Sequence, residues 1–141
     1  MPAEPAEYAH WQHVPTRWSD NDTYGHVNNT VYYLVMDTVI NEWLITHAGL
    51  DIHTGEVIGL CVRSSCAYHA PVSFPETMRV GLRAGRVGTS SVTWEVGMFR
   101  DSDGECVAEG DFVHVFVDRE KRRPQGLSNS MRKAIEGVVV A

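Results

Sequence analysis

The chain changes its hydrophobic rhythm near Glu56, and the two sides of that point predict different elements. From Thr30 to His47 apolar residues recur at helical spacing. Val31, Val35, Val39 and Trp43 fall on one side, and Tyr32, Met36, Ile40 and Leu44 fill the adjacent one. Only Asp37, Asn41 and Glu42 interrupt this apolar girth, which predicts a helix enclosed by other structure. Asn28 and Asn29 offer N-cap side chains ahead of it and Gly49 a C′ residue behind it, so the helix is expected from Asn29 or Thr30 to His47.

Beyond Glu56 the period shortens to that of strands. Segments 57–68, 77–87, 91–99 and 105–117 are strand candidates, separated by Pro71 and Pro75, by Gly88-Thr89 and by Asp101-Ser-Asp-Gly104. In the second of them Arg79 and Arg83 alternate outward with apolar neighbours, the pattern of a half-buried antiparallel strand. Residues 8–18 suit a first strand with Pro15 at an edge or an end. Residues 1–7 read as a loose tail, and 128–136 as a short terminal helix capped by Ser128. One strand, one long helix and about four more strands make an α+β fold in which a curved antiparallel sheet of about five strands wraps the helix. The order lacks the strand–helix alternation of a doubly wound fold, and it has too few helices for a bundle.

Length and composition narrow the class. A chain of 141 residues, 43% hydrophobic and 21% charged, fits one globular domain spanning 1–141. The net charge of −6 argues against a nucleic-acid surface, and Lys121-Arg122-Arg123 is only a short basic run. The opening residues lack the basic start and apolar core of a signal peptide, and no apolar run approaches a membrane span. A cytoplasmic protein without a membrane partner is expected. Cys61, Cys66 and Cys106 form no Cys-x-x-Cys pair, and the seven histidines lack metal-site spacing, so neither a disulfide framework nor a metal site is signalled.

Polar chemistry concentrates between Arg17 and Tyr33. Asp20, Asp22 and His26 lie there on a Gly-containing loop that runs into the start of the helix. That start aims unpaired N–H groups and the positive end of the macrodipole at whatever lies beside the loop. A carboxylate, an imidazole and a donor site for developing negative charge are the ingredients of acyl transfer or hydrolysis. Asp22 otherwise reads as an Asx-turn residue, and Asp20 as structural or charge-tuning.

Asp22-Thr-Tyr-Gly-His-Val-Asn-Asn-Thr-Val-Tyr32, with the element order around it, resembles the signature of hot-dog-fold thioesterases, especially the 4-hydroxybenzoyl-CoA thioesterase-like family. The resemblance covers about Val14 to Val117. It implies an acyl-CoA substrate, no cofactor, and a homodimer or homotetramer with active sites at the subunit interface. It also implies that Asp22 attacks the thioester carbonyl or activates water, and that backbone N–H groups near Asn29 and Thr30 hold the carbonyl oxygen. His26 and Asn29 are polar helpers in this reading. His-Val-Asn-Asn also resembles plant acyl-ACP thioesterases, whose Asp, Asn and His fall on Asp22, Tyr24 and His26; the Asn is missing here.

Asp37, two turns beyond Asn29, faces nearly the same way and is placed to position a water or meet a second subunit. Ser65 and Cys66 are candidates to line the site near the thioester. Arg86, Thr89, Ser90 and Ser91 sit at a strand turn where related enzymes contact the nucleotide. Trp43, Tyr68, Phe74 and Trp94 are either core or walls of an acyl tunnel. A dehydratase or hydratase of the same fold and a non-catalytic acyl-binding protein remain as rival readings.

Overall fold

The structure, a computed structural model, describes residues 2–140. Its elements are β1 (His10–Pro15), α1 (Asn29–His47), β2 (Val57–Tyr68), β3 (Thr77–Val87), β4 (Ser91–Arg100), β5 (Cys106–Asp118) and α2 (Asn129–Glu136). All five strands join one antiparallel sheet in the order β1-β3-β4-β5-β2. This is the hot-dog fold: a curved sheet closed over one long helix, with a short second helix at its edge.

Why the helix sits where it does follows from its sequence. Asn28 caps it by accepting from the N–H of Thr30 at 3.0 Å, and Gly49 ends it with φ of 72°, a left-handed conformation that glycine adopts without strain. Met36, Val39, Ile40 and Leu44 are fully buried against the sheet. Each such side chain contributes roughly 1.5–3 kcal/mol by leaving water. The expected enclosure is one-sided, however. Leu34 and Ile45 are exposed, as are Asp37 and Thr38, so one face of α1 is uncovered in the single chain.

The sheet's concave face supplies the other half of the core through Val80, Leu82, Trp94, Val96, Met98 and Phe116. His114 joins it. It is almost wholly buried and accepts a hydrogen bond at Nδ1 from Trp94 Nε1–H at 3.2 Å. Burial pushes the His114 pKa down, with partial opposition from Asp37. The unfolded chain therefore takes up a proton near pH 6.5, while the folded chain resists until lower pH. Stability from this residue is complete above pH 6.5 and is lost as pH falls below it. We expect the wild-type melting temperature to fall between pH 7 and pH 5, and His114→Gln to fall less over that interval.

The opening residues are not the loose tail expected from sequence. Residues 5–7 form a 3-10 turn, the Ala3 N–H donates to Glu109 Oε2 at 2.8 Å, and Tyr8 is buried against Trp11 and Phe99. This strap crosses the convex face of the sheet over two glycines. A Cβ on Gly97 would stand 2.6 Å from the Tyr8 ring, and one on Gly81 would stand 2.8 Å from Tyr8 Cβ. Gly97→Ala should therefore lift Tyr8 and destabilise the fold by about 1–3 kcal/mol. A denaturant melt measures the loss, and faster labelling of Cys106, which packs against Tyr8, reports the lifted strap.

Candidate active site

The loop before α1 is a tight turn built by its own residues. Asn21 and Val27 pair across it, the N–H of Gly25 donates to the Asp22 carbonyl at 3.1 Å, and Gly25 takes a φ of 85°. Asp at the first and Gly at the fourth position is the composition such a turn requires. The segment that follows β2 anchors it from outside. Ser73 Oγ donates to the Gly25 carbonyl at 2.8 Å, the Phe74 N–H donates to Asn21 Oδ1 at 3.1 Å, and the Val27 N–H donates to the Val72 carbonyl at 2.8 Å.

Within this frame the half-buried Asp22 carboxylate is aimed at the helix start. Its Oδ1 accepts from the Tyr24 N–H at 2.8 Å, an Asx-turn, and its Oδ2 accepts from Asn28 Nδ2 at 3.2 Å. The structural and chemical readings of Asp22 thus coexist: one oxygen shapes the turn, and the other faces the cap. Asn28, not His26, supplies the side-chain donor. His26 is exposed, and its carbonyl accepts from the Asp22 N–H at 2.9 Å.

Asp20 is buried and wholly structural. Arg17 closes on it through Nε at 2.9 Å and its own N–H at 2.7 Å, and the Asp20 carbonyl accepts from the Asn28 N–H at 2.9 Å.

The helix start corrects one expectation. The Thr30 N–H is taken up by Asn28 Oδ1, and Thr30 Oγ1 donates to the same oxygen at 2.6 Å. Capping has consumed a donor assigned to a carbonyl oxygen. Among the described residues the Asn29 N–H donates to no protein group, so the donor at this end of the macrodipole is Asn29.

Tyr68, read from sequence as core or a tunnel wall, instead meets the helix start. Its hydroxyl donates to the Asn29 carbonyl at 3.2 Å, and its ring meets Tyr32 edge to face. Partial burial, then Cys66 and Tyr33, push the phenol pKa up, so Tyr68 keeps its proton and donates. The signal available was its place at the end of the strand following the helix, where the sheet returns to the helix start.

Other candidates separate. Cys66 faces α1 beside Tyr32, and burial pushes its thiol pKa up, with Glu109 adding to the effect against Tyr68; it is a neutral lining group rather than a nucleophile. Ser65 lies on the opposite face of the sheet, where Oγ donates to Asp111 Oδ1 at 2.5 Å, so the pleat removes it from the site. Asp37 is exposed on the uncovered helix face and accepts from Asn41 Nδ2 at 3.0 Å. Arg86, Ser90 and Ser91 sit at the β3–β4 turn, where Arg132 of α2 donates to the carbonyls of Gly88 and Thr89. Residues 74–77 border the Asp22 loop, and ten strand steps of about 3.3 Å carry β3 roughly 33 Å to Val87. One protomer does not bring Asp22 and Arg86 together.

Trp43 and Trp94 are core, but Phe74 is partly exposed at the Asp22 end, with Trp18 edge to face against it. Trp18 and Tyr24 are 81% and 85% exposed, a cluster of apolar surface around the loop. A groove of about 390 Å³ opens between β1 and α1, lined by Val14, Arg17, Asp20, Val31, Leu34 and Val35.

A capped helix start with an unpaired N–H, a carboxylate held by the cap residue and a curved sheet over the helix are the groups that acyl-transfer chemistry requires. Residues 16–135 match the model of the thioesterase-like superfamily, and the chain belongs to that superfamily as a thioester hydrolase. Among solved structures it is similar to the PA5185 protein from Pseudomonas aeruginosa strain PAO1, at 48% identity and a TM-score of 0.93, covering 96% of this chain and 95% of that one. The PA2801 protein of Pseudomonas aeruginosa is 35% identical with a TM-score of 0.83, over 89% and 97% of the two chains. Slr0204, a 1,4-dihydroxy-2-naphthoyl-CoA thioesterase from Synechocystis, shares the fold at 17% identity and a TM-score of 0.81, over 89% and 93%. No curated protein matches the chain.

Proposed function

We propose that the protein hydrolyses acyl- or aryl-CoA thioesters to the free acid and CoA. The observation that carries this reading is the Asp22 carboxylate held by Asn28, the cap residue of α1, one position before the unpaired Asn29 N–H. A thioester is already activated and its thiolate is a good leaving group, so neither a metal nor an obligatory general acid is required. Asp22 Oδ2 either attacks the carbonyl carbon or takes a proton from an attacking water, and Asn28 keeps that oxygen aimed. The carbonyl oxygen gains charge at the helix start, where the Asn29 N–H and the macrodipole stabilise it. His26, exposed on the same loop, contacts the substrate's thiol side.

The active unit in this proposal is a homodimer, with a homotetramer as a further assembly. β2 is a twelve-residue strand with one unpaired edge and mostly exposed side chains, a template for pairing with another copy. Antiparallel pairing along β2 sets the β3–β4 turn of one copy, with Arg86, Ser90 and Ser91, beside the Asp22 loop of the other. Those groups then hold the CoA phosphates, and Asp37 on the uncovered helix face meets the second copy. The three free cysteines suit the reducing cytoplasm, and no helix among the described residues is long and apolar enough to cross a membrane. Thiol release from a panel of acyl- and aryl-CoAs, read alongside sedimentation of the same sample, tests the reading. Turnover by a dimer supports it, and binding without turnover overturns it in favour of an acyl-binding protein.

A further inference from the structure

On the convex face of the sheet, the strap, the end of β2 and the start of β5 bring together three side chains that the thioesterase chemistry does not use. They are His69, Cys106 and Glu109. In a regular strand, residues 106 and 109 would point to opposite faces. Here Phe99 pairs with Cys106 while Met98 pairs with Ala108, so Val107 is an extra residue in β5. The bulge turns Cys106 and Glu109 to the same convex face. It also frees the Val107 carbonyl to accept from the N–H groups of both His69, at 2.9 Å, and Ala70, at 3.2 Å. Bulges of this kind re-aim side chains and recur beside functional sites.

The resulting cluster has the dimensions and chemistry of a metal site. One ring nitrogen of His69, the Cys106 sulfur and a Glu109 carboxylate oxygen all lie within 4.8 Å of one another, and His69 Nε2 is 2.9 Å from Glu109 Oε2. A tetrahedral ion with bonds of about 2.0–2.3 Å holds its ligands roughly 3.3–3.8 Å apart, so small side-chain rotations suffice. The Ala3 N–H donates to Glu109 Oε2 at 2.8 Å and supplies an outer donor of the kind that orients ligands. A cavity of about 310 Å³ lined by Ala3, His69, Phe99, Gly104 and Cys106 gives an entry path. Thiolate with imidazole selects zinc-like cations over magnesium or calcium. Without an ion, the three groups reduce to a hydrogen-bonded His69–Glu109 pair beside a buried thiol.

We propose that His69, Cys106 and Glu109 bind a zinc-class divalent cation, with a water from the adjoining cavity as the fourth ligand. On coordination the Cys106 thiol gives its proton to solvent, and the ion joins the strap, the end of β2 and the start of β5. His69 leads directly into residues 72–74, which hold the Asp22 loop, so the ion stiffens that support from outside. The proposal uses none of the hydrolytic groups and stands independently of the thioesterase reading.

The test uses the full chain, stripped with a chelator and titrated with Co²⁺ and Zn²⁺ alone. We expect saturation at one equivalent, a near-ultraviolet thiolate-to-cobalt band, and a higher melting temperature with Zn²⁺. Cys106→Ser should remove the band, and His69→Ala should weaken binding by more than the roughly 10- to 100-fold typical of an outer-shell change. His69 is exposed, so its variant keeps the test open if the core change at Cys106 unfolds the chain. Cys61→Ser, at an exposed thiol, and Asp22→Asn should leave the titration unchanged. No saturable uptake, a band that survives Cys106→Ser, or a band lost in Cys61→Ser overturns the proposal.

Discussion

Asp22→Asn is expected to lower kcat/KM for acyl-CoA hydrolysis by about 10²- to 10⁴-fold, the usual worth of a positioned acid–base group. The effect should fall on kcat, because the amide keeps the shape of the carboxylate but neither attacks a carbonyl nor takes a proton from water. The turn should survive, since Asn Oδ1 still accepts from the Tyr24 N–H. The cost lies opposite Asn28, whose Nδ2 would face another amide nitrogen where it now meets an oxygen. Because the site is half exposed, water absorbs most of that loss, and the melting temperature should barely move. Thiol release measured beside a melt separates the chemical loss from unfolding. Wild-type turnover in the variant would leave Asp22 as a turn residue only, with the chemistry elsewhere.

Most of the architecture was legible because period and punctuation agree along this chain. Strands expected at 57–68 and 77–87 occur at those bounds, and α1 runs from Asn29 to His47 as its caps require. Register was not legible, and the errors trace to it. Ser65 and Cys66 are neighbours, yet only Cys66 faces the helix, and the irregularity between Cys61 and Arg63 decides which. A shift of one residue exchanges every side chain between faces, and no composition rule locates it. The Thr30 N–H was misassigned for a related reason: a cap residue and an oxyanion donor compete for the same few hydrogen bonds, and only coordinates show which one wins. The strap at residues 3–8 escaped notice because its partners, Gly81, Gly97 and Glu109, are distant in sequence. The cluster of His69, Cys106 and Glu109 was invisible for the same reason.

The sharpest consequence of a shared site concerns heterodimers of two defective chains. Arg86→Glu should raise KM strongly by setting a negative charge where CoA phosphates bind, and Asp22→Asn removes the carboxylate chemistry. Each homodimer should be nearly inactive at low substrate. A heterodimer of the two carries one site with both defects and one with neither, provided Asp22 and Arg86 of a working site come from different copies. Purified through two different tags, it should show about half the wild-type activity per dimer, one of two equivalent sites having been restored by symmetry. If each protomer used its own Asp22 and Arg86, both sites would be broken and the heterodimer would be as inactive as its parents. The nine strand steps of β3 from Thr77 to Arg86 span roughly 30 Å and argue for restoration, because no side chain bridges that distance. An inactive heterodimer of confirmed composition would instead place the phosphate contacts near the Asp22 loop, among the exposed groups around Trp18 and Tyr24.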